Sequence, residues 1–220
     1  MCARFTLSDL EDLTAAIELI SAPVLTPRYN IAPSQRVVVV GRKPDGSGRG
    51  AVTMNWGFVP HWAKSPTDGP RPVNARAETI QTSAPFRDSF RNRRCIIPAD
   101  GYIEWLTVER KKVPYLFRPR YGGYLGFAGI WDIWQSPTTE PLYTCAIVTV
   151  GANATLRAYH ERMPAILAPA DYNAWLDAQT PAQTAHNLLG PVADDYLQIL
   201  AVSSAVNRAS NDTPECIAAL

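Results

Sequence analysis

Histidine and cysteine are scarce in this chain. There are three histidines, His61, His160 and His186, and four cysteines, Cys2, Cys95, Cys145 and Cys216. No two cysteines form a C-x-x-C pair and the histidines are equally scattered, which argues against a structural zinc site or another metal centre. Long apolar runs are also missing. Nothing approaches the roughly 18 consecutive apolar residues of a membrane-spanning helix, so no membrane association is expected. The opening segment carries Asp9, Glu11, Asp12 and Glu18 and so lacks the pattern of a secretory signal. Neither sign of charge is in excess. The 220 residues hold 21 basic and 20 acidic side chains, unlike a histone-like basic protein or a disordered polyelectrolyte. These absences predict a cytoplasmic protein with reduced thiols, nucleoid-associated if its source is bacterial.

Proline and large aromatics are plentiful, with 19 prolines, 9 tyrosines and 6 tryptophans. Such a composition favours strands and loops over helical bundles. Ser8 and Glu11 have capping-box spacing, and Leu10, Leu13, Ala16, Ile17 and Ile20 share a helical face, predicting a helix from Ser8 that Pro23 and Pro27 end. Val37–Val40 and Ala51–Phe58 read as strands, and Pro60–Pro72 as a loop. Short helices are expected at Ala77–Ile80 and Pro85–Phe90. Cys95–Ile97, Gly101–Trp105, Pro114–Phe117, Tyr124–Trp134 and Tyr143–Val150 are β-branched or aromatic and bounded by turn residues. Two helices follow, one over Pro169–Ala178 and one capped by Thr180 in Thr180-Pro181-Ala182-Gln183. Leu197–Val202 is a last strand, and the tail from Asn207 reads as irregular. Many strands without βαβ alternation predict an α+β fold. We expect one domain over residues 2–220, with mixed or antiparallel sheets curled into a barrel-like core flanked by helices.

Charge is unevenly spread. Six arginines against two acids fall between Arg71 and Arg94, whereas seven acids outnumber three arginines from Arg157 onward. The arginine-rich stretch is either a phosphate-binding face or an ordinary solvated surface.

Several residues could carry chemistry. A cysteine at position 2, freed by trimming of Met1, offers an α-amine and a thiol on adjacent carbons. Their ordinary pKa values are about 7.7–8.0 and about 8.5, so both are partly deprotonated near neutrality. Such a pair either converts an aldehyde first to an imine and then to a five-membered thiazolidine or, as is commoner for a lone cysteine near a terminus, has no role. Asn74, in Asn74-Ala75-Arg76-Ala77-Glu78, either holds a substrate or makes a local turn. Glu104, in Asp100-Gly101-Tyr102-Ile103-Glu104-Trp105, has apolar neighbours that suit a general acid. Strand alternation puts it on one face with Tyr102, and that face is either a working surface or simply the wet one. His160 either carries protons or caps a surface turn. Trp62 either stacks on or wedges against a base from its loop or takes the commoner fate of tryptophan, core packing, which is expected of Trp56. The remaining thiols, at 95, 145 and 216, read as buried structural groups.

Taken in order, Met1-Cys2-Ala3-Arg4-Phe5, Arg28–Pro33, Trp56–Trp62, Asn74–Thr79, Ile97–Trp105, His160–Pro164, Val202–Asn207 and Pro214-Glu215-Cys216-Ile217 resemble the SRAP, or SOS response-associated peptidase, family. The resemblance runs from residue 2 to residue 217. It implies recognition of abasic sites in single-stranded DNA and a covalent cross-link, without a cofactor. By the same resemblance Cys2 matches the nucleophile and Asn74, Glu104 and His160 its supporting groups. Arg4, Arg76 and Arg162 match phosphate contacts, Trp62 the strand-stacking aromatic, and Asn30 and Thr149 polar positions near the site. A weak lyase activity and self-removal of Met1 are further expectations. A cysteine-type peptidase and a non-covalent single-strand binder are the competing classes. Two departures stand out: Ala3 replaces the family's glycine and is tolerated only without positive φ, and Ala63 stands where a second tryptophan often follows Trp62. Nothing in the composition demands a second subunit, so a monomer is expected.

Overall fold

The computed structural model describes residues 2–220. Met1, on whose removal the chemistry of Cys2 depends, lies outside the described residues. The first part of the chain forms β1 (Phe5–Leu7), a one-turn helix α1 (Leu13–Ala16), β2 (Leu19–Ser21), β3 (Arg28–Ile31), β4 (Arg36–Arg42), β5 (Arg49–Trp56), β6 (Asn74–Arg76) and helix α2 (Arg87–Asn92). The middle supplies the long strands β7 (Arg94–Ala99), β8 (Gly101–Val108), β9 (Lys111–Pro119), β10 (Leu125–Ser136) and β11 (Thr139–Gly151). Two short strands, β12 (Arg162–Pro164) and β13 (Ile166–Leu167), two short helices, α3 (Tyr172–Leu176) and α4 (Ala182–Asn187), and β14 (Leu197–Ala201) complete the set.

Five of the strands close on themselves. β10 pairs antiparallel with β11 and β7, β7 meets β4 at Val40↔Ile96, β4 pairs antiparallel with β5, and β5 runs parallel to β11 at Thr144↔Asn55. This ring is the barrel-like core of the expected α+β fold. A second sheet runs in the order β14-β9-β8-β1-β3. One hydrophobic core joins the two, with Phe5 packed edge-on against Trp56 and Phe127. Burying such rings is the main stabilising term. Gly101 lets β1 and β9 close on β8. A Cβ there would lie 2.8 Å from Leu116 Cδ1 and 3.1 Å from the Phe117 carbonyl.

The helix expected from Ser8 shrinks to four residues. The Ser8 hydroxyl, which the capping box assigned to a helix, instead donates to Asp100 Oδ2 at 2.7 Å. The Arg49 guanidinium donates to the Ile17 carbonyl at 3.0 Å. Glu18 turns to φ 55°, and Leu19–Ser21 joins the edge of β5. Tertiary pairing here overrides a marginal helical propensity. Residues 77–80 form turns rather than a helix. Pro169–Ala178 divides into a 3₁₀ turn at Pro169–Asp171 followed by α3. Pro181, not Thr180, occupies the N-cap of α4. The tail holds a 3₁₀ turn at Pro214–Ile217.

The arginine-rich stretch is not one charged face. Arg94 is buried and donates to the carbonyls of Phe90 and Trp175. Arg93 pairs with the buried carboxylate of Asp132 at 3.1 Å.

Candidate active site and nucleic-acid interface

Cys2 is fully buried on the segment that leads into β1. Its approach is set by β1, which lies between β3 and β8 with Phe5 opposite both Ile31 and Tyr102. The Ile103 N–H donates to the Arg4 carbonyl at 2.9 Å. Asp100, at the head of β8, gathers the segment that follows β1. It accepts from the Thr6 hydroxyl and from the backbone N–H of Ser8 (2.5 Å) and Asp9 (2.7 Å).

Asn74 comes from the other sheet. It begins β6, which runs parallel to β11 with Asn74 opposite Ile147. The Trp56 indole N–H supports this segment by donating to the Val73 carbonyl at 2.9 Å. From this position Asn74 Nδ2 donates to the Cys2 carbonyl at 2.9 Å.

Glu104 stands on β8 with a relative exposure of 7 %, and Tyr102, on the same face, has 1 %. The shared face is therefore dry, which removes the wet-surface alternative. Burial raises the Glu104 carboxyl above the usual carboxylate range, and His160 pulls it partly back. Burial is also the main cause that pushes the Cys2 thiol up, and the nearby Glu104 carboxylate adds to it. Cys2, Glu104 and His160 are thus electrostatically linked. His160 follows a 3₁₀ turn, and its Nδ1 accepts the Arg162 N–H at 2.9 Å, which fixes the ring.

Arg4 and Asn30 form a second group. Arg4 Nη1 donates to Asn30 Oδ1 and to the Val206 carbonyl, both at 2.6 Å, and the guanidinium lies 5.4 Å over the Trp105 ring. Asn30 is fully buried, and its amide nitrogen donates to the carbonyls of Val206, Arg208 and Asn211. Its amide is committed to the chain itself, so Asn30 orients Arg4.

Arg162 and Thr149 form a third group, at the pairing of β12 with β11. Arg162 Nη2 donates to the Thr149 carbonyl at 2.6 Å and to Glu78 Oε2 at 2.9 Å. Thr149 is buried opposite Arg76, whose side chain is exposed. Trp62 is 55 % exposed, on a loop tied down at its base. The His61 N–H donates to Asp132 Oδ2 at 2.9 Å, and the Trp134 indole donates to the Ala63 carbonyl at 2.8 Å. Trp62 and Arg76 thus stand at the surface, separate from the buried groups. Trp56 and the thiols of Cys95, Cys145 and Cys216 are all buried. Positive φ outside glycine falls at Glu18, Ser34, Glu109 and Arg110, so Ala3 meets the backbone condition its substitution required.

One residue beside Glu104 escaped notice as a site residue. The Tyr102 hydroxyl is buried without a hydrogen-bond partner among the described residues. Asn74 Oδ1 and the Nε atoms of Arg4 and Arg162 share that condition. Buried polar groups are almost always paired, so each unpaired one is a candidate for contact with a ligand or a reacting group. A concavity of 1050 Å³ lies elsewhere, lined by Arg36, Val39, Met54, Trp131 and Tyr143 among others, and includes none of these groups.

The chain belongs to the SOS response associated peptidase (SRAP) family, whose model matches residues 1–209. It is 36 % identical over 223 residues to the abasic site processing protein YoqW of Bacillus subtilis, covering 99 % of each chain. It is 31 % identical over 224 residues to the abasic site processing protein HMCES of Xenopus tropicalis, covering 88 % of this chain and 66 % of that one. Among solved structures, a protein from Bordetella bronchiseptica superposes with a TM-score of 0.80 at 27 % identity, covering 92 % of this chain and all of that one. A protein from Bacteroides thetaiotaomicron shares the fold, with a TM-score of 0.89 at 24 % identity and full coverage of both chains.

Proposed function

We propose that this protein processes abasic sites in single-stranded DNA by joining itself to them through Cys2. The relatives named for abasic-site processing support the lesion class. The observation that carries the chemistry is the Asn74–Cys2 hydrogen bond beside a buried Glu104.

An abasic deoxyribose is mostly a closed hemiacetal. Glu104, whose raised pKa keeps it available as an acid, moves the proton that opens the ring, and His160 assists at the sugar oxygen. The α-amine of Cys2, exposed once Met1 is gone, attacks the C1′ aldehyde and expels water to give an imine. The Cys2 thiol then adds to the same carbon and closes a thiazolidine. Burial keeps this thiol protonated, so the amine acts first. Asn74 holds the Cys2 carbonyl and thereby aims the amine. Arg76 meets a flanking phosphate directly, and Arg162 does so by exchanging Glu78 for the phosphate. Trp62 stacks on an unpaired base.

The test is denaturing electrophoresis of Met1-free protein with a single strand carrying one abasic site. A heat-stable band that needs both the lesion and Cys2 is expected. Its absence would overturn the covalent reading in favour of plain binding. Peptidase chemistry, on this reading, is confined to release of Met1, with any lyase activity a minor branch from the imine. Intact masses of the Cys2→Ser and Glu104→Ala proteins test the first point, since retained Met1 in either marks self-removal.

A further inference from the structure

The buried phenol of Tyr102 is the strongest unexplained group in the molecule. Its ring is committed to packing. It stacks on Phe117 at 4.9 Å and 13° and meets Phe127 edge-on at 6.2 Å. Neither contact uses the hydroxyl. An unpaired buried hydroxyl is costly, and a phenylalanine would keep the same packing without that cost. The hydroxyl therefore invites an explanation beyond the fold.

Its surroundings point to one. Tyr102 sits opposite Phe5 on the short strand that leads from Cys2, two residues from Glu104 on the same buried face. Cys2 belongs to the same packed core. The phenol is held well above its ordinary pKa by burial, then by Cys2, then by Glu104. It therefore keeps its proton near neutral pH and remains a donor. The rings that pack on it from β9 and β10 are uncharged phenylalanines. Cys2 and Glu104 are the ionisable groups acting on it, with His160 acting in turn on Glu104.

We propose that the Tyr102 hydroxyl donates a hydrogen bond to the Cys2 sulfur as it becomes a thiolate, and so governs thiazolidine closure. This rests on the covalent reading above and assigns to its second step a donor that the first does not use. In that step the thiol proton passes through the Glu104 carboxylate to the imine nitrogen. The sulfur lone pair forms the bond to C1′, and the C=N π pair returns to nitrogen. Nothing is oxidised or reduced. A thiolate forming in a buried site beside a carboxylate is otherwise poorly solvated, and a hydrogen bond to a charged acceptor is the strong kind.

The experiment separates the two bonds to C1′ in Met1-free wild-type protein and in Tyr102→Phe. Borohydride trapping on a single strand with one abasic site reads the imine. The heat-stable band, followed over a range of pH, reads ring closure. Tyr102→Phe is expected to trap the imine at the wild-type rate. Its heat-stable product should form about tenfold more slowly near neutrality, with the rising limb of the pH–rate profile moved to higher pH. Wild-type closure kinetics in the variant overturn the inference, as does equal slowing of both products, which marks a packing effect. If wild-type protein yields neither product, the covalent reading itself fails and this step falls with it.

Discussion

At the scale of single residues, burial sets the chemistry. Glu104 is favoured in its neutral form by the folded chain. The stability this form contributes is fully present below the ordinary glutamate pKa of about 4.3 and is lost as pH rises through the raised folded value. Glu104→Gln keeps the shape and cannot ionise. Its melting temperature should therefore fall less than that of the wild type as pH rises from about 4, while its cross-linking should slow by about 10²–10⁴-fold for want of proton transfer. Thermal melts across pH, paired with gel-based rates, check both. A wild-type rate would remove Glu104 from the mechanism. Cys2→Ala retains the amine and should still give a borohydride-trapped imine, without the heat-stable band.

At the scale of elements, the site depends on how β1 is held. Asp100 anchors Thr6, Ser8 and Asp9 through one buried carboxylate. Removing an acceptor with several buried donors costs about 1–3 kcal/mol for each donor left unsatisfied. Asp100→Ala should destabilise the fold by about 3 kcal/mol, measured by denaturant unfolding, and cross-linking should weaken even at temperatures where the variant is folded. The same anchor explains one misreading. Ser8 and Glu11 carry a valid helix-start pattern, but the pattern does not reveal a carboxylate some ninety residues away that claims the serine. The central strands were legible, because alternating β-branched and aromatic residues need only local rules. Alternation also put Tyr102 and Glu104 together, but left open whether their face was wet. That depended on β1 and β9 flanking β8, a matter of topology. The Tyr102 hydroxyl gave no signal in sequence, since an absent hydrogen bond exists only in three dimensions.

At the scale of the molecule, the proposed function requires a near-neutral protein to bind a polyanion through a few well-placed cations. Arg76 is exposed, whereas Arg4 and Arg162 are engaged with Val206 and Glu78. Arg76→Ala should weaken single-strand binding and flatten the dependence of log K on log salt by about 0.7, one phosphate's worth. A titration at several salt concentrations reads the slope, and an unchanged slope excludes Arg76 from phosphate contact. Trp62→Ala should lose about 1–3 kcal/mol of binding without altering that slope, because stacking is not an ionic interaction. The order of the barrel strands was not legible. Closure of the ring rests on the parallel contact between β5 and β11, which no local pattern announces.

The clasp between the two ends of the chain has a consequence in time. Arg4 leans on the Val206 carbonyl, and Asn30 holds Val206, Arg208 and Asn211. During synthesis the first of these residues is made more than two hundred positions before the last. A nascent chain can expose its cysteine amine and still have no formed site to aim it. On the covalent reading proposed above, Cys2 is aimed only after residues 206–211 have folded against Arg4 and Asn30, so chains shorter than that should be unreactive. A ribosome-stalled chain ending before residue 206 should leave abasic DNA unlinked, and the same chain extended past residue 212 should not.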